Sequence, residues 1–177
     1  MKKFLFFLFI SINTFSQEHN FVLENAEVKW EKIYDVSETK KEDVLDKVKS
    51  FCLSNISYNN LQLTDDTITF QVNSDVFNLK KYGKKKFNSS MIYFYEYNYL
   101  TTIEFKDNKY KVTLRDIKII DNKTGYGLNS TFTDYFTKKK GTQFKDNSEA
   151  KDGLSLFNLH FSDKFNIQNT ELKKSDW

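Results

Sequence analysis

Two β-rich runs, residues 91–105 and 110–120, stand on either side of Asp107-Asn108 and constrain this chain more than any other stretch. Apolar side chains at every second position mark a strand with one buried face. Asp-Asn between two such runs suits a tight hairpin turn, because both residue types tolerate positive φ. The first run is longer than a usual strand of about 3–10 residues, so it must bend or bulge. In the second, Tyr110, Val112 and Leu114 share a face, after which the apolar positions shift to Ile117 and Ile119. That phase change predicts a bulge near Asp116.

The flanking segments complete an α+β pattern. Val28, Trp30, Tyr34 and Val36 predict a half-buried strand over residues 27–36. Thr39 and Glu42 have the spacing of a capping box. Val44, Leu45, Val48, Phe51 and Cys52 recur at helical spacing, predicting an amphipathic helix over residues 40–54. A second strand is expected near residues 56–63, then a turn at Asp65-Asp66 and a clearer strand through Ile68, Phe70 and Val72. Residues 73–90 are polar and lysine-rich and read as loop. Residues 121–153 hold Gly125, Gly127, Gly141 and Gly153, with a short strand expected over residues 131–136. Leu154, Phe157, Phe161 and Phe165 predict a last amphipathic helix, and Leu172 extends its buried face. The fold class is α+β: an antiparallel sheet with an N-terminal β-α unit and a C-terminal helix packed on one face.

The first residues carry an address. Lys2 and Lys3 precede the apolar run of residues 4–12, and Thr14 and Ser16 supply small residues before Gln17. This is the layout of a secretory signal peptide, cleaved near Ser16/Gln17. The run is too short for a membrane span of about 20 apolar residues. The expected organisation is a signal peptide (1–16), a polar leader (17–26), a β-α-β-β-β core (27–120), and an irregular segment with the C-terminal helix on the same domain (121–177). The protein is expected to be secreted or periplasmic.

Composition narrows the partners. Of 27 basic residues, two leave with the signal, so 25 face 24 acidic ones and the mature balance is +1. So small a net charge does not steer nucleic acid or an anionic membrane over the whole surface. Arg115 is the single arginine, which disfavours planar bidentate recognition of phosphate. Cys52 is the single cysteine, so no internal disulfide forms. On the apolar helix face its thiol acts as a small hydrophobe.

Three segments resemble a known family. They are the strand, turn and helix of residues 30–37 and 41–49, the run of residues 97–105, and the hairpin and return strand of residues 106–117. Over residues 27–120 the chain resembles a family of secreted Bacteroidetes domains of unknown function with a TATA-binding-protein-like fold. Asn108 stands where that family often has glycine, and asparagine accepts the same left-handed conformation. The resemblance implies an antiparallel sheet with helices on one face. It brings no catalytic residue and no ligand.

Chemistry-bearing motifs are sparse. His19 and His160 have no partner at metal-binding spacing, and His160 is expected at a helix surface or boundary. There is no Gly-x-Ser-x-Gly elbow and no glycine-rich phosphate cradle. Glu96 and Glu104 lie on one strand face roughly 26 Å apart, too far for a hydrolytic pair. Asp116 and Arg115 sit on the return strand. Residues 146–149 lack the spacing of a calcium loop and read as a polar turn. No catalytic group, metal or cofactor is therefore expected. Two features point outward. Met91, Tyr93, Tyr95, Tyr97 and Tyr99 alternate, and an exposed row of Tyr93, Tyr95, Tyr97 and Tyr99 would stack on sugars or dock a partner. Lys80, Lys81, Lys84, Lys85 and Lys86, and then residues 138–140, form basic clusters with Tyr82 and Phe87 interleaved. The first reading of these clusters is solvated loop; as a functional patch, export turns them away from nucleic acid and towards acidic glycans or anionic lipid headgroups in a peripheral membrane contact. The reading is a non-enzymatic binding or assembly module of the cell envelope, with an envelope protein or glycan as partner. A glycan- or lipid-binding protein using the tyrosines is the alternative, and an enzyme stands third.

Overall fold

The computed structural model describes residues 19–37, 39–85, 87, 89–121 and 129–168. The signal segment, Lys86, Gly125, Gly127 and Leu172 lie outside the described residues. A short strand β1 (Phe21–Glu24) leads into β2 (Glu27–Asp35), then α1 (Lys41–Asn55), β3 (Tyr58–Leu63) and β4 (Thr67–Val76). The long hairpin is β5 (Glu96–Lys106) and β6 (Lys109–Ile120), followed by β7 (Asn129–Thr131) and α2 (Phe132–Phe136). A small hairpin, β8 (Thr137–Lys138) and β9 (Gln143–Phe144), precedes α3 (Ser148–Lys164). The sheet runs β1-β2-β6-β5-β4-β3, with β7 beside the far half of β6. Every pairing is antiparallel.

The hairpin forms as its pattern demands. Asn108 has φ 62°, and Lys106 pairs with Lys109 across the turn. Asp116 has φ 51° and marks the bulge that turns Ile117 and Ile119 inward after Leu114. This same turn starts α1. The N–H of Thr39 donates to Asn108 Oδ1 (2.8 Å), and that of Lys41 to Asp107 Oδ1 (2.9 Å). The capping box expected of Thr39 and Glu42 does not form: the cap position falls on Lys40, which has no side-chain cap. Carboxyl and amide oxygens from the hairpin satisfy the donors instead. Asn108→Ala is expected to lower stability by about 1–2 kcal/mol, through the left-handed backbone and the lost bond to Thr39. Asn108→Gly should recover the backbone part, as read by urea unfolding of the two variants.

Three expectations are corrected. The leader is not shapeless, since Phe21–Glu24 pairs with β2 through a turn at Asn25 and Ala26, both at positive φ. Residues 91–105 are not one strand: Met91–Phe94 form a 3-10 turn, and the strand starts at Glu96. The strand expected over residues 131–136 is mostly α2, where Thr131 and Asp134 make a complete capping box.

All helices pack on one face of the sheet, and the aromatic residues fill the space between. Phe157 of α3 meets the rings of Phe77, Tyr93, Tyr97, Phe132, Phe136 and Phe161 at 4.9–6.2 Å. Trp30 packs on Phe161 and Phe165, and its indole N–H donates to Asn158 Oδ1 (2.9 Å). Cys52 is buried with Val44 and Val48 on α1, and burial pushes its thiol up to about 12. Gly153 lies inside α3, not before it, because Phe136 packs there; a Cβ would lie 2.8 Å from its ring.

Candidate functional site

A bulge in β4 builds the most highly charged interior feature. Ile68, Phe70 and Val72 face inward at even positions, so an unbroken strand would turn position 75 to solvent.

 Ser74 (φ 55°) is the extra residue, held by its N–H donating to Asn98 Oδ1 (2.8 Å), and it resets the phase so that Asp75 points inward. There the carboxylate meets α3. His160 and Lys164 are four residues apart and share a helix face. His160 Nε2 lies 3.0 Å from Asp75 Oδ2, Lys164 Nζ donates to Oδ1 (2.7 Å), and the Tyr99 hydroxyl donates to Oδ2 (2.7 Å).

The Asp75 side chain is 5 % exposed. Burial alone raises its pKa, but the hydrogen bonds and charges of His160 and Lys164 outweigh this and hold the carboxyl well below the usual range. Burial, and then the Asp75 charge, push the Tyr99 phenol well up. Neighbouring contacts extend the stitching: Tyr82 donates to Asp163 Oδ2 (3.2 Å), and Lys81 pairs with the same oxygen (2.8 Å). Three donors hold the two carboxylate oxygens, and Phe77 packs on the imidazole at 5.1 Å. The cluster fastens α3 to β4 and β5.

His160, expected at a helix surface or boundary, stands at the inner edge of that boundary at 9 % exposure, because Asp75 and Phe77 draw it inward. The tyrosine row is corrected as well. Tyr97 and Tyr99 are 0 % and 1 % exposed, Tyr93 is buried in the 3-10 turn, and Tyr95 is half-buried. The odd positions of β5 face the helices, so Tyr97 and Tyr99 are core and offer no stacking surface, while Tyr95 packs partly against that core. Glu96 and Glu104 remain far apart on the opposite face, with Glu104 beside Lys111 and Glu96 beside Ile120. Arg115 and Asp116 are exposed, and Asp116 pairs with Lys118 (3.0 Å). Asn147 caps α3 within the polar turn of residues 146–149. Lys80, Lys81, Lys84 and Lys85 are exposed on the connection from β4 to β5. Among the described residues, no cluster of His, Cys, Asp and Glu is arranged to hold a metal ion. No described helix is long and apolar enough to cross a membrane.

The second feature is the outer face of the sheet, on which no described element packs. Glu31, Thr113, Thr102 and Thr69 align in one rung across β2, β6, β5 and β4. Two shallow concavities of about 250 Å³ lie here, one lined by Ile33, Glu104 and Lys111 among others, the second by Gln71, Leu100 and Lys118 among others. Ion pairs on this face include Lys111–Glu31 (2.9 Å) and Lys29–Glu24 (2.6 Å), and Lys106 and Lys109 line the first concavity beside Glu104. Alternation in the sequence points to such a face. It could not tell which alternate set would be covered, because both carry apolar residues.

An antiparallel sheet with its helices on one face and the other face open defines an α+β domain of TBP-like fold. Two solved structures share it. A TBP-like protein from Parabacteroides distasonis matches with a TM-score of 0.57 and 12 % identity over 82 % of this chain and 95 % of its own. A DUF4468 family protein from Bacteroides ovatus matches with a TM-score of 0.51 and 14 % identity over 87 % of this chain and 88 % of its own. At these identities the likeness is one of fold. No family model and no curated protein matches the sequence.

Proposed function

We propose that this chain is a secreted or periplasmic, non-enzymatic binding or assembly module of the cell envelope, which takes a protein partner on the open face of its sheet. The observation that carries this reading is the rung of Thr69, Thr102 and Thr113 with half-buried Leu100 beside it, on a face where no described element packs and which carries ion pairs already made. A face on which both signs of charge alternate favours another protein surface over a polyanion, which selects a patch of one sign. Burial of Tyr97 and Tyr99 counts against the glycan-stacking alternative, since neither ring has a free face. The burial of Asp75 and its three donors from α3 and β5 support a structural role for the charged cluster.

The test is affinity capture from envelope extracts with the chain from Gln17 onward and with a Leu100→Glu/Thr102→Lys double variant. Loss of a central contact costs about 2 kcal/mol, so captured partner should fall roughly 30-fold for the double variant. Tyr97→Phe, which alters only the interior, should capture the same molecules as the parent. Equal capture by the double variant would sink the open-face reading.

A further inference from the structure

The connection between β4 and β5 differs from the rest of the surface. No acidic residue occurs from position 76 to position 95, while lysine stands at 80, 81, 84, 85 and 86. Lys81 is neutralised by Asp163 at 2.8 Å. Lys80, Lys84 and Lys85 are exposed, and no described acidic group pairs with them. Apolar exposure concentrates in the same connection. Three of the four most exposed large apolar residues described, Phe87 (99 %), Met91 and Val76, lie on it or at its ends.

Its inner side is firmly seated. Phe77, Leu79, Ile92 and Tyr93 are buried, Tyr82 bonds Asp163, and Ser90 Oγ donates to Glu149 (2.8 Å). Gly83, at φ 69° with open space around it, closes the 3-10 turn of Leu79–Tyr82 and lets the chain reverse. An anchored base thus carries an outward tip of unpaired cations and one bare phenyl ring.

We propose that this connection seats the protein on an anionic lipid surface, with Lys80, Lys84 and Lys85 against the headgroups and Phe87 in the acyl boundary. The two chemistries together select the occupant. Lysine ammonium groups suit headgroup phosphates as point charges and need no bidentate geometry. A phenyl ring in full solvent gains by entering hydrocarbon, whereas sugar recognition uses a ring set among polar groups in a concavity. This contact lies on a different part of the molecule from the open sheet face and does not depend on it.

The experiment is co-sedimentation of the chain from Gln17 onward, which contains every described element, with vesicles of phosphatidylcholine alone or mixed with phosphatidylglycerol. Binding is expected to the anionic vesicles only, and to weaken as salt rises above about 0.15 M, where the Debye length falls below about 8 Å. Each lysine near such a surface contributes about fivefold, so Lys80→Gln/Lys84→Gln/Lys85→Gln should weaken partitioning roughly hundredfold. Phe87→Ser should weaken it about tenfold. Lys139→Gln/Lys140→Gln should leave it unchanged. All of these positions are exposed, and unchanged circular dichroism and melting confirm that the variants fold. Equal binding by the triple lysine variant overturns the proposal. So does equal binding to neutral vesicles, or retention by an acidic polysaccharide without vesicle binding.

Discussion

Replacing Asp75 by alanine is expected to lower the unfolding free energy by about 3–5 kcal/mol, as for other buried ion pairs that lose one partner. The cost arises from what stays behind. His160 and Lys164 keep their positions on α3 and face no anion, and the Tyr99 hydroxyl loses its acceptor inside the core. The figure should fall towards the lower end, because the Lys164 side chain is 21 % exposed and can turn to water. Asp75→Asn keeps one acceptor oxygen and should recover about 1 kcal/mol, the net value of a typical hydrogen bond. Urea unfolding gives both numbers. Acid provides an independent check. The folded-state pKa of Asp75 lies below the unfolded value of about 3.9, so its contribution is full above that value and drains away as pH falls through the folded one. The parent should therefore lose stability below about pH 4 more steeply than Asp75→Asn. Parallel acid limbs for the two proteins would mean that the carboxylate is not held as an anion by α3.

Phe157→Ala is the second large effect, with an expected loss of about 3–5 kcal/mol from lost transfer energy and the cavity left behind. Six rings surround Phe157, drawn from α2, α3, β5 and the connection between β4 and β5, so no single neighbour can collapse into the space. Domains of this size have about 5–15 kcal/mol in total, so the variant should sit near the edge of folding at room temperature. Phe157→Leu fills much of the volume and should lose roughly half as much. A denaturation midpoint for Phe157→Ala within error of the parent would contradict the packing described for α3.

Much of the architecture was legible in local pattern. The hairpin, the bulge at Asp116, α1, β3, β4 and the apolar face of α3 follow from side chains a few positions apart, and the family resemblance pointed to the same sheet. The misreadings share a cause. Asn73-Ser74-Asp75 resembles any polar loop, and only donors 85 and 89 residues away make Asp75 an interior group. The start of α1 is set by Asp107 and Asn108, which lie 66 and 69 residues from the donors they satisfy. Tyr97 and Tyr99 alternate with Asn98 and Leu100, so periodicity alone left both faces of β5 in contention, and the rings of α3 decided between them. β1 and α2 are too short to show a period at all.

The element that closes this core follows every strand of the sheet in chain order. A chain emerging from the ribosome carries its whole sheet before residues 148–164 arrive, with Trp30, Tyr97 and Phe132 still waiting for their partners on α3. Asp75 meets neither His160 nor Lys164 until then. Native packing of the sheet therefore waits on contacts of long sequence separation, and until α3 docks the rings on its inner face have no cover.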